Sequence, residues 1–358
     1  MKKTEKLFEL IHSLTKNEKG YFKKNAAFHK IGAQNQYVKL FDAIEKQTQY
    51  HEEAIKKKYR NEGFVKHLAF NKVYLYHLIL KSLQGYHSDL YSQVLEYLNR
   101  IKILYNKGLY EHCTDFIEKV KNIADKHELF VYKYEALMWE RKVMGDLKFR
   151  DIPQQKLSMS IHEGSDTLEK IKNYYEYLNI SHNFLIKTER QIGGSRNKEE
   201  VQVFRSVLEE RLMKGEDKAN SITSKYLYNF IHVQYHRHYT GNWEKMYHHQ
   251  KRAADLCKLF YTELFNNPPD VENIYRFLGS HVDVTISCYM TGRYDEGLAI
   301  ISNVREIMEK NGSKLSTSIR GMNFFYSYSS ELRIYLRTGR FDMIDEVIDD
   351  IEKRIEDV

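Results

Sequence analysis

The sequence is poor in the residues that end helices and build tight turns, with 3 prolines and 17 glycines in 358 residues. So few turn formers exclude a turn-rich β-sandwich. The three cysteines, Cys113, Cys257 and Cys288, lie far apart and form no Cys-x-x-Cys pair. The sequence therefore predicts neither a disulfide framework nor a zinc ribbon, and isolated thiols of this kind are typical of a reducing compartment.

Long uncharged apolar runs are also missing. Even the most apolar segment, residues 64–83, carries Lys66, Lys72 and Lys81, so we expect no membrane-spanning helix. The first residues, 1–19, begin with basic side chains but lack the apolar run of a signal peptide. These features predict a soluble, cytoplasmic protein that does not associate with membranes.

Apolar residues recur at helical spacing in nearly every long segment, and no alternating strand pattern is found. The final segment is a clear example, and its apolar stripe consists of Phe341, Ile344, Val347, Ile348, Ile351 and Ile355. With 42% hydrophobic residues the chain can bury a sizeable core. The sequence predicts an all-α protein.

One turn pattern occurs four times, each time between a long aromatic-rich helix and a second amphipathic helix. Its copies are Asn106-Lys107-Gly108-Leu109-Tyr110, Thr240-Gly241-Asn242-Trp243, Thr291-Gly292-Arg293-Tyr294-Asp295 and Thr338-Gly339-Arg340-Phe341-Asp342. Glycine can end the first helix in the left-handed conformation because it has no Cβ atom. The aromatic residue two positions later is then expected to pack between the two helices.

These segments resemble tetratricopeptide repeats, whose helix pairs join at Gly-Asp/Asn-Tyr-x-x-Ala. The segment from Thr291 to Leu298 matches best, with Gly297 where the family prefers alanine. The repeats here are longer than the family's and depart from it in the first helix, where Ile101, Gln234 and Leu332 replace a small residue. The resemblance implies an α-α superhelix, a solenoid of about six helix pairs, over residues 88–358.

The predicted division is a basic N-terminal helical bundle, residues 1–87, followed by the repeat domain, residues 88–358. Predicted first helices lie near 90–106, 129–146, 174–191, 219–239, 271–290 and 314–337. Predicted second helices lie near 109–126, 152–172, 198–213, 242–264, 293–310 and 340–358, and the clearest loops are 193–197 and 266–270. The helix that ends the bundle is apolar on several sides, so we expect it to be buried.

The resemblance also implies a ligand groove, because the first helices of such repeats line the concave face. Counting back from each junction glycine places eight side chains on this face: Tyr228, Tyr235, His238, Tyr239, Tyr289, Tyr326, Arg333 and Arg337. Val282 and Ile286 fall on the same face, and packing between neighbouring helices is the alternative role for about half of the set. Tyrosine and arginine are typical of binding hot spots. His232 and Asp283 occupy positions where some family members carry an asparagine clamp for peptide carboxylates, so a C-terminal carboxylate is not the expected ligand.

The positive charge is concentrated at the front of the chain, where residues 1–80 carry 16 basic and 8 acidic side chains. A possible nucleic-acid patch consists of Lys23, Lys24, Lys56, Lys57, Lys58 and Arg60, since basic side chains between aromatic ones can neutralise phosphates and stack on bases. A solvated helix face is the alternative interpretation. The last residues, 341–358, are acidic, and their isoleucine stripe would suit packing on the preceding helix, a truncated chain or a homodimer through the C-terminal helix.

No catalytic constellation can be identified, because the sequence contains no phosphate-binding loop, nucleophile elbow or His-Glu-x-x-His motif. His232 and His236 are four residues apart, as a metal-binding pair can be, and His238, His248 and His249 follow. No carboxylate or cysteine completes the set, so we assign no metal ligands and no cofactor. The predicted function is a non-catalytic scaffold that binds a protein or peptide, and the alternative is a regulator whose basic bundle contacts nucleic acid while the repeats sense a partner.

Overall fold

The computed structural model describes residues 3–28, 36–86, 89–147, 153–189, 206–266, 269–312 and 315–355. Within these ranges the chain is all-α and contains no strand, which confirms the prediction of an all-α protein. The chain divides into two compact units, residues 1–88 and 89–358. None of the helices in the described ranges combines the length and the apolar character needed to cross a bilayer.

The first unit contains six helices: α1 (Lys3–Ser13), α2 (Lys16–Phe28), α3 (Gln36–Glu45), α4 (Glu52–Lys58), α5 (Gly63–Lys66) and α6 (Leu68–Tyr86). Leu75 and Ile79 of α6 are fully buried against Phe22 and Phe41, which stack with ring centroids 4.9 Å apart. The prediction that α6 is buried on all its apolar sides is wrong. Phe70 is 68% exposed, and an apolar stripe that includes it stays on the surface of the described chain because the small core covers one face only.

The second unit contains α7 (Leu90–Asn106), α8 (Tyr110–His127), α9 (Phe130–Asp146), α10 (Gln154–Glu189), α11 (Ile222–Tyr235), α12 (Trp243–Lys258), α13 (Tyr261–Leu264), α14 (Val271–Thr291), α15 (Tyr294–Asn311), α16 (Thr317–Thr338) and α17 (Asp342–Arg354). The long helices pack on their successors along the chain, and α14 also contacts α16. This consecutive packing is the arrangement that a helical repeat requires. The predicted loop 193–197 and the first part of the predicted helix 198–213 lie outside the described residues.

The four junction glycines end their helices as predicted. Gly108, Gly241, Gly292 and Gly339 all have positive φ angles, between 62° and 77°. The aromatic residue that follows behaves less uniformly: Tyr110 packs on Tyr105, whereas Phe341 is 64% exposed. The glycine is therefore the constant part of this turn.

The break that we predicted near residue 173 is absent, because residues 154–189 form a single helix. Neither glycine nor proline occurs between Gly164 and Glu189, so nothing in the local sequence ends the helix. Asn173 and Tyr177 instead anchor its middle, since they donate hydrogen bonds to the carbonyls of Lys218 (3.0 Å) and Leu212 (2.7 Å). The prediction of a second helix and a following first helix in this region is wrong.

The junction between α8 and α9 connects these early helices to later ones. Glu128 ends α8 with a φ of 54°, the one positive φ of a non-glycine residue in the described chain. Its carboxylate accepts hydrogen bonds from the backbone N–H groups of Ile222 and Thr223, both at 2.7 Å, and from the Thr223 hydroxyl at 2.6 Å. The carboxylate thereby caps the N-terminus of α11, where free N–H groups and the helix dipole favour negative charge.

Two further contacts join α7 and α8 to the start of α14. His127 and Asp270 form a buried pair, with 2.6 Å between Nδ1 and Oδ2, and the hydrogen bonds of Asp270 lower the pKa of its carboxyl despite burial. The Tyr91 hydroxyl donates to Glu272. These contacts, between side chains more than a hundred residues apart in the sequence, close the second unit between α7–α8 and α14.

Candidate functional site

A cavity of about 320 Å³ lies among α11, the π-helical turn His236–Thr240 that continues it, α14 and α16. These helices precede three of the junction glycines and correspond to the first helices of three pairs. Its walls combine aromatic, aliphatic and charged side chains, and the aromatic and basic lining residues are Tyr226, Phe230, Arg237, Tyr275, Arg276 and Tyr326. Aromatic walls with a few polar groups are typical of sites that bind ligands.

Asp283 on α14 is the acidic residue of this cavity. Burial raises the pKa of its carboxyl to about 6, although the positive charge of Arg237 acts in the opposite direction. No hydrogen bond or ion pair to this carboxylate is formed by the residues that the structure describes. A desolvated carboxylate without donors is costly, because burial removes the water that would solvate it.

Asn323 on α16 supplies a second acceptor in the same cavity. Its amide nitrogen donates to the carbonyl oxygen of Ile319 at 2.9 Å, which defines the amide orientation. Its Oδ1 atom is fully buried and has no partner in the described part of the chain. The walls of the cavity thus contain two acceptors without donors, the carboxylate of Asp283 and the buried Oδ1 of Asn323.

A second cavity, of about 200 Å³, lies beside the first at the start of α14. Arg276 lines both cavities and is held there by Asn273, whose Oδ1 lies 3.0 Å from its Nη1, and by an ion pair with Glu272. Arg276 is thus a lining residue of both cavities.

The predicted groove residues occupy several different environments in the structure. Tyr326 lines the larger cavity, as do Val282 and Ile286, while Tyr289 is half-buried on α14 and Arg333 and Arg337 lie at the surface of α16. Tyr228, Tyr235 and Tyr239 instead belong to a packed cluster with α10, and Tyr239 meets Phe184 edge to face at 5.6 Å. His238 is half-buried in the π-helical turn.

The π-helical turn accounts for this difference. It inserts an extra residue between α11 and Gly241. A count back from the glycine therefore predicts, for each residue of α11, a position around the helix axis that is wrong by about 100°. The residues that face the cavity from α11 are Tyr226 and Phe230, whose rings stack at 6.3 Å. The sequence signal that could have located them is the aromatic pair itself, at a spacing of four residues.

The six basic residues of the possible nucleic-acid patch are partly neutralised. Lys23 is paired with Asp42 at 2.8 Å and Glu45 at 2.9 Å, and Lys56 with Glu52 and Glu53 at 3.1 and 2.8 Å. The side chains of the remaining four lie at the surface of the first unit: Lys24, Lys57, Lys58 and Arg60.

The isoleucine stripe of the last helix is only partly buried. Ile344 and Ile351 pack against α16, whereas Ile348 is 43% exposed.

Three histidines, from α11, the π-helical turn and α12, form the one cluster of metal-ligand type found in the described ranges: His232, His236 and His249. The rings of His232 and His249 stack at 4.4 Å and are nearly parallel. Burial lowers the pKa of His232 to about 3 and that of His249 to about 4, and it also lowers that of His236. All three imidazoles are therefore neutral at pH 7.

Comparisons with protein-family models, with curated proteins and with solved structures return no match for this chain. The structure defines the class to which the chain belongs: an all-α protein of consecutively packed helices. The likeness to tetratricopeptide repeats rests on the four glycine junctions and the helix pairs around them.

Proposed function

We propose that the second unit is a tetratricopeptide-like solenoid whose inner surface binds a segment of a partner protein. The observation that carries this proposal is the cavity among α11, α14 and α16, with two acceptor groups that lack donors. In a solenoid the first helices of successive pairs line one face, so a ligand on that face contacts several pairs at once. The patch of the first unit is a weaker candidate, because carboxylates already neutralise Lys23 and Lys56.

The chemistry of the cavity favours a positively charged group of the partner. The carboxylate of Asp283 and the Oδ1 atom of Asn323 accept hydrogen bonds, so the matching ligand group is a donor. An ammonium or guanidinium group offers several donors and is also attracted to the faces of aromatic rings. Tyr226, Tyr275 and Tyr326 supply such rings. A lysine, an arginine or a free amino terminus fits this site.

The two arginines of the cavity have a complementary role. Arg276 is held by Glu272 and Asn273, and its position between the two cavities suits backbone carbonyls of an extended peptide. Arg237 reduces the negative potential at Asp283 without forming an ion pair with it. The site therefore selects an extended chain with one buried cation rather than a polybasic segment.

Selection from a random peptide library by the full-length protein tests this proposal. We expect the enriched peptides to share a lysine, an arginine or an exposed amino terminus next to apolar residues. Binding measured by calorimetry should weaken 10- to 100-fold, as the order of magnitude for a lost charge-assisted hydrogen bond, in Asp283→Asn. Tyr326→Ala should weaken it as well, because an aromatic wall is removed.

The matched control is Tyr175→Ala, which removes a 61% exposed tyrosine of α10 that lines neither cavity. It should bind the selected peptides like the unaltered protein. Peptides without a common cation would contradict the ligand chemistry. Equal binding by Asp283→Asn and Tyr326→Ala would contradict the assignment of the groove itself.

A further inference from the structure

The histidine cluster lies on a face of α11 that the proposed groove does not use. His232 and His236 are one turn apart, and His249 of α12 faces both of them. One ring nitrogen can be chosen from each histidine so that the three atoms lie within 4.8 Å of one another. The sequence alone showed the first two histidines, whereas the third is brought to them by the packing of α12 on α11.

Hydrogen bonds determine which nitrogen of His249 is available. The amide nitrogen of Asn229 donates to Glu216 and to the carbonyl of Lys225, both at 2.9 Å. Asn229 Oδ1 must then be the atom that faces His249 Nδ1, 2.8 Å away, and this nitrogen carries the proton. The lone pair of His249 is therefore on Nε2. Glu216 is in turn paired with Arg252, with 2.7 Å between Oε1 and Nη2.

His236 has an equivalent support within the π-helical turn. Its Nδ1 lies 3.0 Å from the hydroxyl of Thr240, and that hydroxyl bonds to the carbonyl of His236. When the hydroxyl donates to this carbonyl it accepts from Nδ1–H, and that arrangement leaves Nε2 unprotonated. Metal-binding histidines commonly hold their second nitrogen in this way, because the bond orients the ring and selects the tautomer. π-Helical turns are frequent at functional sites.

His232 supplies the third observation. Its Nε2 atom is buried and lacks a hydrogen-bond partner among the residues described. A buried polar atom without a partner is destabilising, and in native structures it points to a group that completes its bonding. This nitrogen belongs to the same three-histidine cluster, in which Asn229 and Thr240 hold the Nδ1 atoms of the other two rings.

We propose that His232, His236 and His249 form a three-nitrogen site for a divalent transition-metal ion of the zinc type. Imidazole nitrogen suits Zn²⁺, Ni²⁺ and Cu²⁺ and does not suit Mg²⁺ or Ca²⁺. At metal–nitrogen distances of about 2.1 Å the ligand atoms of a tetrahedral site are about 3.4 Å apart, so nitrogens that now lie within 4.8 Å of one another must approach by up to about 1.4 Å. Rotation about χ2, which is broad for histidine, must supply this movement and also turn the stacked rings of His232 and His249 out of parallel, because an ion lies near the plane of each imidazole that binds it. Three protein ligands leave the fourth position for water or an exogenous ligand.

Titration of Zn²⁺ into full-length protein, prepared without a polyhistidine tag and freed of metal with EDTA, tests the site. We expect a complex of one ion per chain, and a visible absorption band of tetrahedral type when Co²⁺ replaces Zn²⁺. His232→Gln and His249→Gln should each weaken Zn²⁺ binding at least 100-fold. Asn229→Leu should weaken it about 10- to 100-fold, since it removes the bond that selects the tautomer of His249.

The control is His248→Gln, which alters the exposed neighbour of His249 and should retain the affinity of the unaltered protein. Circular dichroism in EDTA shows whether each variant folds without metal. If a variant does not fold, the affinity of the unaltered protein is still a test. A Kd for Zn²⁺ weaker than about 100 µM would refute the proposed site. Binding that persists equally in His232→Gln and His249→Gln overturns it too, because other histidines would then hold the ion.

Discussion

Replacing Asp283 by asparagine should stabilise the protein at neutral pH. Burial raises the pKa of this carboxyl from 3.8 to about 6, so the folded protein holds its proton more tightly than the unfolded chain does. The stability that protonation provides is fully present below pH 3.8 and is lost as the pH rises through 6. Asparagine has nearly the same shape and carries no charge at any pH, so it avoids this loss.

The size of the effect follows from the two pKa values. The difference between 3.8 and about 6 corresponds to about 3 kcal/mol of unfavourable free energy when the carboxyl is ionised in the folded state. The side chain lies at a cavity wall and is partly accessible, so solvent screening reduces the expected gain to about 1–2 kcal/mol. The gain should be small near pH 4 and reach its full value above pH 7.

Urea unfolding at pH 4.5, 6 and 8 measures this difference. Both tryptophans, Trp139 and Trp243, belong to the second unit, so their fluorescence reports on the unit that contains Asp283. Asp166→Asn, a change on the exposed surface of α10, is the matched control and should stay within about 0.5 kcal/mol at every pH. An Asp283→Asn variant that is less stable at pH 8, or equally affected at all three values, would refute the reasoning.

Two further predictions concern the helix junctions. Glu128→Ala removes the carboxylate that caps α11 and should destabilise the second unit by about 2–3 kcal/mol in urea unfolding. Glu128→Gly should reduce the free energy of unfolding by about 1 kcal/mol less than Glu128→Ala does, because glycine adopts the left-handed conformation without strain. Equal losses in the two variants would contradict the presence of backbone strain at this position. In α14, Gly279→Ala should raise the melting temperature by an amount equivalent to about 0.5–1 kcal/mol, since its Cβ would meet open space. Gly292→Ala at the end of the same helix should lower it by about 1 kcal/mol, and a shift of the same sign in both variants would contradict this.

The helical class and the glycine junctions could be predicted because both are local properties. Apolar spacing determines which segments become helices, and a glycine such as Gly292 or Gly339 marks its own left-handed turn. The junction at Glu128 has no such mark. A glutamate is held there by hydrogen bonds to Ile222 and Thr223, which lie far away in the sequence.

The candidate sites could be predicted only in part, for the same reason. Tyr326 was located by counting back from Gly339, because α16 is a regular helix up to that glycine. The same count was wrong for α11, because no feature of the sequence indicates the π-helical turn before Gly241. The sequence also placed Asp283 at a clamp position, but its desolvation depends on neighbours from three helices.

The closure of the second unit changes how this array is expected to unfold. In a linear repeat protein each pair touches only its neighbours, so terminal pairs can fray one at a time. Here the pair α7–α8 cannot separate without exposing the buried, hydrogen-bonded side chains of His127 and Asp270, which are 143 positions apart in the chain. Residues 89–291 should therefore unfold as one cooperative block. Forming that contact requires the closure of a long loop, which makes folding slower than in an open array of the same length.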